Sequence, residues 1–148
     1  MTVKQRPFNS SGSATAMAGS MIVARFVNGR TVKGTTQDFL PNKATFHVYE
    51  SGNEGAAAVE LSIDSLKAVF FVKSFEGRKE HVEEYSFDKA KGYGRKCVVK
   101  FADGELVGGY TSGYGPDRPG FFLIPAEADS NNARIFIVNQ AVQEIRWL

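Results

Sequence analysis

Only one cysteine, Cys97, occurs in the 148 residues, so neither an internal disulfide framework nor a cysteine-based zinc site can be built. Histidine is nearly as scarce. His47 and His81 lie far apart and lack the H-x-x-E-H or E-x-x-H spacing of a metal or acid–base site. No apolar run approaches the roughly 20 residues that cross a bilayer as a helix. Fifteen glycines without a G-x-y period exclude collagen and point to turns. Charge of one sign is missing too. Lys and Arg number 18 against 16 Asp and Glu, and no stretch gathers positive charge as nucleic-acid footprints usually do.

The chain does hold ordinary globular material: 43% hydrophobic, 12% aromatic and 23% charged residues. Residues 1–20 are rich in Ser, Ala, Gly and Thr and read as a disordered tail. Lys4 and Arg6 are not followed by the apolar core of a signal peptide, so a cytoplasmic protein is expected, and a lone thiol fits a reducing compartment.

The strongest feature is an internal repeat. Residues 25–48, RFVNGRTVKGTTQDFLPNKATFHV, align without a gap with residues 100–123, KFADGELVGGYTSGYGPDRPGFFL, at an offset of 75. Seven of the 24 positions are identical, including Gly29/Gly104, Gly34/Gly109, Pro41/Pro116 and Phe46/Phe121. Matched chemistry adds Phe39/Tyr114 and Lys43/Arg118. One further residue of offset brings Leu66, Val69 and Phe71 onto Val142, Ile145 and Trp147.

Each copy reads as five short strands. In the first they are Met21–Val27, Arg30–Phe39, Thr45–Tyr49, Val59–Ile63 and Lys67–Lys73. In the second they are Lys96–Phe101, Glu105–Tyr114, Phe121–Ile124, Arg134–Val138 and Gln143–Leu148. Asn28-Gly29 and Asp103-Gly104 are hairpin signals, and Gly34 inside a long strand predicts a bulge or sharp bend. Glu80–Lys91 is only a weak helical candidate. The expectation is an all-β chain. It comprises a tail (1–20), a small barrel (21–74), a charged linker (75–95) and a second barrel (96–148). Phe70, Phe71, Phe121 and Trp147 are expected in the cores or the seam.

In Asn28-Gly29-Arg30-Thr31-Val32-Lys33-Gly34 the first copy resembles the Sm-like small barrels, a likeness covering roughly residues 22–49. The resemblance implies an Src-homology-3-like five-stranded fold. It also implies, through an Asp-x-x-x-Asn element matched by Asp38 and Asn42, a hold on a single-stranded RNA base. The Arg-Gly element of those proteins is replaced by Asp64-Ser65-Leu66, and the second copy has Gly113 and Asp117 instead. The stretch from Gly109 to Leu123 is similar to an uncharacterised bacterial family of duplicated small barrels. A PilZ-like cyclic-dinucleotide sensor would need R-x-x-x-R and D/N-x-S-x-x-G elements, and neither occurs.

Catalytic chemistry finds little support. Cys97 lies in a predicted strand with no nearby histidine and reads as a buried structural thiol. Glu83-Glu84 sits among lysines on a solvated stretch, and Gly92-Tyr93-Gly94 and Gly113-Tyr114-Gly115 lack phosphate-loop spacing. A non-enzymatic module with no cofactor and no metal is expected. The repeated proline turn is the candidate binding surface, with Phe39, Lys43, Tyr114, Asp117 and Arg118 as its contact residues. An aromatic beside a cation is a frequent hot-spot composition. A protein is the expected partner. Single-stranded nucleic acid stacked on Phe39 and Tyr114 is the alternative, and an atypical PilZ-like cyclic-dinucleotide sensor is the third reading.

Overall fold

A computed structural model describes residues 19–53, 55–74, 94–127 and 130–148. Residues 1–18 of the expected tail, nearly all of the charged linker, His81, Glu83, Glu84, Gly92 and Tyr93 lie outside these residues, and Ser20 of the expected tail opens the first strand. The described chain forms ten strands. They are β1 (Ser20–Phe26), β2 (Thr31–Thr36), β3 (Thr45–Glu50), β4 (Val59–Ser62), β5 (Leu66–Val72), β6 (Arg95–Phe101), β7 (Leu106–Thr111), β8 (Gly120–Pro125), β9 (Asn132–Val138) and β10 (Val142–Trp147). Two single 3₁₀ turns, Ile63–Ser65 and Asn139–Ala141, link β4 to β5 and β9 to β10. Among the described residues no helix is long and apolar enough to cross a membrane.

Two five-stranded units were expected; the strands join in one antiparallel sheet, ordered β10-β6-β7-β8-β9-β5-β1-β2-β3-β4. Each half contributes its fifth strand, then its first, second, third and fourth. The halves meet where β9 lies along β5, with Phe136 opposite Val69 and Ile135 opposite Phe70.

The register repeats the sequence offset. Ile22 pairs with Phe71 and Ala24 with Val69 in the first half. Cys97 pairs with Trp147 and Val99 with Ile145 in the second. On the other side, Phe46 faces Leu61 and His47 faces Glu60, while Phe121 faces Ile137 and Phe122 faces Phe136. A bulge recurs at one place: Lys67 is the extra residue against Arg25/Phe26, and Gln143 is the extra residue against Lys100/Phe101.

Two apolar clusters fill the fold, and both cross the junction. The first unites Ile22, Val32, Phe46, Leu66, Val69 and Phe71 with Phe136 and Val138 of the second half. The second unites Val99, Phe101, Phe121, Ile135 and Ile137 with Ala68 and Phe70 of the first. β5 is therefore buried on both faces, which explains its nearly unbroken apolar run. Phe70, Phe71 and Phe121 are buried as expected, whereas Trp147 is only partly covered.

Three local expectations change. β2 ends at Thr36 and β7 at Thr111, short of the predicted Phe39 and Tyr114. At both ends a threonine hydroxyl leaves the ladder pattern to donate across the turn, Thr36 Oγ1 to His47 O and Thr111 Oγ1 to Phe122 O, each 2.8 Å. Gly34 forms no bulge, for its pairing with Ile22 is regular. It is required because a Cβ there would strike the Tyr49 carbonyl, and Gly109 is held in the same way by Ile124.

Candidate functional site

The five predicted contact residues fall on two turns, one in each half. Phe39 and Lys43 belong to the β2–β3 turn, and Tyr114, Asp117 and Arg118 to the β7–β8 turn of the other half. Lys43, Asp117 and Arg118 are exposed, and Tyr114 is 38% exposed. Phe39 is half-buried and meets four rings edge-on: Phe46 at 5.0 Å, Phe136 at 5.1 Å, Phe71 at 5.4 Å and Phe122 at 6.0 Å.

The β7–β8 turn is tied down by hydrogen bonds from Asn139 in the β9–β10 turn. Asn139 Nδ2 donates to Gly115 O at 3.0 Å and to Arg118 O at 2.8 Å. Arg118 Nη1 reaches Gly113 O at 3.4 Å, a long and weak contact that leaves the guanidinium in solvent. Pro116 and Pro119 limit the backbone further. Tyr114 leans edge-on against Phe121 at 5.2 Å and Trp147 at 5.5 Å.

These distances repeat those of the first half. Phe39, Phe46 and Phe71 form an aromatic triad at 5.0 and 5.4 Å; Tyr114, Phe121 and Trp147 form its counterpart at 5.2 and 5.5 Å. The surroundings differ. Phe122 and Phe136 cover the first triad, and the Arg134 guanidinium lies 4.4 Å from the rings of both Phe71 and Phe122. No described strand covers the second. There a groove of about 330 Å³ runs along β10, lined by Tyr114, Pro116, Asn139, Val142, Ile145 and Trp147 among others. Arg95 stacks on Trp147 at 4.1 Å.

Sequence reasoning missed Trp147, Arg95 and Asn139 as members of this site. One signal was available. Trp147 is the only tryptophan in the chain and aligns with Phe71, which marks a larger ring at a repeated position.

The corresponding outer face of the first half is polar. Asp38 Oδ1 accepts the His47 backbone N–H at 2.9 Å and the Thr36 hydroxyl at 3.2 Å, and Oδ2 lies 2.7 Å from His47 Nδ1. His47 Nε2 is 3.8 Å from Glu60. Burial pushes the Asp38 carboxyl up, but the hydrogen bonds from His47 and Thr36 outweigh it and hold the group below its ordinary range. Asp38 thus staples β2 to β3 rather than pointing away with Asn42, which is exposed. Cys97 is fully buried, and the loss of hydration pushes its thiol up to about 11, unfavourable for a thiolate nucleophile. Among the described residues no three His, Cys, Asp or Glu side chains converge as metal ligands.

Residues 18–148 match the model of a family of unknown function, DUF6982. The chain belongs to this family. The match spans both halves and all ten strands, so the sheet with its covered and uncovered triads lies wholly within the family's extent. No curated protein and no solved structure shows a significant match.

Proposed function

We propose that this member of the family is a non-catalytic, cytoplasmic module of two small Sm-like β-barrels, arisen by duplication, that binds a protein partner through its second half. The shared register and the shared bulge support the duplication. One observation carries the binding reading: the same aromatic triad is built twice, sealed in one half and left open in the other. Burying partly exposed aromatic surface is a strong source of association energy. A turn already ordered by Asn139 and two prolines loses little entropy on binding.

Single-stranded nucleic acid fits this groove less well. A base needs a free ring face, but Arg95 lies over Trp147 and Tyr114 meets its neighbours edge-on. Phe39, the other expected platform, is enclosed by four rings. The test is capture from the native cell extract by the wild-type chain and its Tyr114→Ala variant, with and without nuclease. The reading expects a protein retained after nuclease and lost from the variant. Capture that disappears with nuclease would transfer the function to nucleic acid.

A further inference from the structure

We infer that the open edge of β10 accepts an extended peptide strand from the partner, in which aromatic and charged side chains alternate. This rests on the binding reading above and names the chemistry of what is bound. Internal correspondence supplies the geometry. β5 and β10 occupy the same place in their halves, and each pairs on one side with its half's first strand. The other side of β5 receives β9, whereas β10 ends the sheet. An unpaired edge offers a row of backbone donors and acceptors to an added strand.

The register says what that strand must carry. On β5, Phe136 stands opposite Val69 and covers the triad. The place of Val69 is taken on β10 by Ile145, flanked on the same face by Trp147. An aromatic side chain opposite Ile145 would therefore enter the groove beside Tyr114. On the opposite face β5 presents Ala68 and Phe70 to Ile137 and Ile135. On β10 those places hold exposed Glu144 and Arg146, 4.0 Å from each other, so a cation opposite Glu144 and an anion opposite Arg146 on the incoming strand would extend that pair across the two strands.

A second copy of the chain does not meet these demands. A copy offers two edges, β4 and β10. An antiparallel β10 pair centred on Ile145 would set Glu144 against Arg146 but would bring isoleucine, not an aromatic ring, opposite Ile145. On β4, Glu60 stands in the place of Phe136 and Ser62 in that of Val138. Docking β4 on β10 would press Glu60 against Ile145 and Leu61 against Glu144. Charged residues on exposed edges are a familiar guard against such pairing.

The probe is a blocked peptide spanning Asn132–Val138 with Ile135→Glu and Ile137→Lys. Trp147, as the sole tryptophan, reports occupancy of the groove through its fluorescence in the intact chain. The expected result is a saturable change. It should weaken about tenfold or more when the peptide's Phe136 becomes Ala, and also weaken when the two new charges are exchanged. Hydrogen exchange should show new protection of β10 amides. No saturable change up to millimolar peptide, or one indifferent to the peptide's aromatic, overturns the assignment. So does self-association by sedimentation that Glu144→Lys abolishes, or a mixed single-stranded oligonucleotide that fills the groove more tightly. If the peptide fails while the wild-type chain still captures a nuclease-resistant protein that Tyr114→Ala loses, the strand assignment falls and protein binding stands.

Discussion

Lys67 Nζ lies 2.7 Å from Asp103 Oδ2, joining the bulge of β5 in one half to the β6–β7 turn of the other. Glu105 bonds the same ammonium, and the ring of Phe101 lies 4.6 Å from it. The lysine side chain is 6% exposed, while Asp103 and Glu105 are 56% and 40% exposed. The costs of removing the two signs are therefore unequal. Asp103→Asn with Glu105→Gln strands a buried cation, a change worth about 3–5 kcal/mol in a dry site and nearer about 2 kcal/mol here, where water reaches the partners. Lys67→Met leaves two carboxylates that water can serve and should cost under about 1 kcal/mol. Chemical denaturation of both variants checks the order. Equal losses would show that the ammonium is not the burdened group.

Acid should weaken the fold through the same contact. The Lys67 hydrogen bond, then the Glu105 backbone N–H, hold the Asp103 carboxyl below its ordinary 3.8. Asp38 is held low as well, its hydrogen bonds from His47 and Thr36 overcoming burial. For both, the unfolded chain binds the proton more tightly. Their stabilisation is thus present above about pH 4 and is lost as pH falls through the lower folded values. The urea midpoint should hold steady from pH 7 to 5 and drop below 4. In Lys67→Met the drop should be shallower, because Asp103 has lost the main cause of its shift. A wild-type midpoint unchanged at pH 3 would contradict this.

Gly34 and Gly109, like Gly120 against the Ile137 carbonyl, should be poorly replaceable glycines in regular strand. An added methyl meets a neighbouring strand's carbonyl oxygen, from Tyr49 or Ile124. Overpacking of this kind costs about 1–3 kcal/mol. Gly29 and Gly104 are left-handed turn residues at φ +94° and +95° with open space around them. Alanine there should cost only about 1–2 kcal/mol of backbone strain. Thermal melts of Gly109→Ala and Gly104→Ala decide whether close approach outweighs strain.

The β7–β8 turn should separate ordering from recognition. Arg118→Ala gives up one long bond from an exposed group, so stability should change by no more than about 0.5 kcal/mol. Asn139→Ala removes a donor from the Gly115 carbonyl, which keeps the Arg118 N–H, and from the exposed Arg118 carbonyl, and should cost about 1 kcal/mol. Both variants should capture partner less well, the first by losing a contact and the second by loosening Tyr114. Arg118→Ala with wild-type capture would remove Arg118 from the surface.

Much of the strand plan is readable because it is local. Turn pairs such as Asp103-Gly104 and alternation such as Phe46 and Val48 act within a few residues, and the 75-residue repeat reads them twice. What decides inside from outside is not local. Phe39 reads as a contact aromatic because its cover, Phe136, lies almost a hundred residues away. Lysine is almost never buried unpaired, and the partners that let Lys67 be buried come from the other copy. The junction itself is written only in differences between copies: Phe122 and Phe136 against His47 and Glu60, Ala68 and Phe70 against Glu144 and Arg146. Alignment marks these as mismatches, and only the register turns them into a sealed side and an open one.

The sealed side makes the halves interdependent, so residues 1–74 expressed alone should fold poorly. In that fragment β5 keeps β1 but loses β9, and with it every ladder bond along its second edge. Ala68 and Phe70 lose the second cluster to which they belong, and Phe39 and Phe71 lose the covering rings of Phe122 and Phe136. Removing Phe136 from the first cluster alone is comparable to a Phe→Ala core deletion, about 3–5 kcal/mol. That is most of the stability a barrel of this size commands, roughly 3–5 kcal/mol from a single small core. Lys67 is left without its acids as well. The fragment should therefore show little cooperative unfolding and should expose its aromatic edge to added dye or to itself. Mixing it with residues 75–148 should restore a cooperative transition if the junction is the missing element. A fragment that melts alone as sharply, and as high, as the full chain would mean that the two clusters are separable and that β9 is not needed to complete the first.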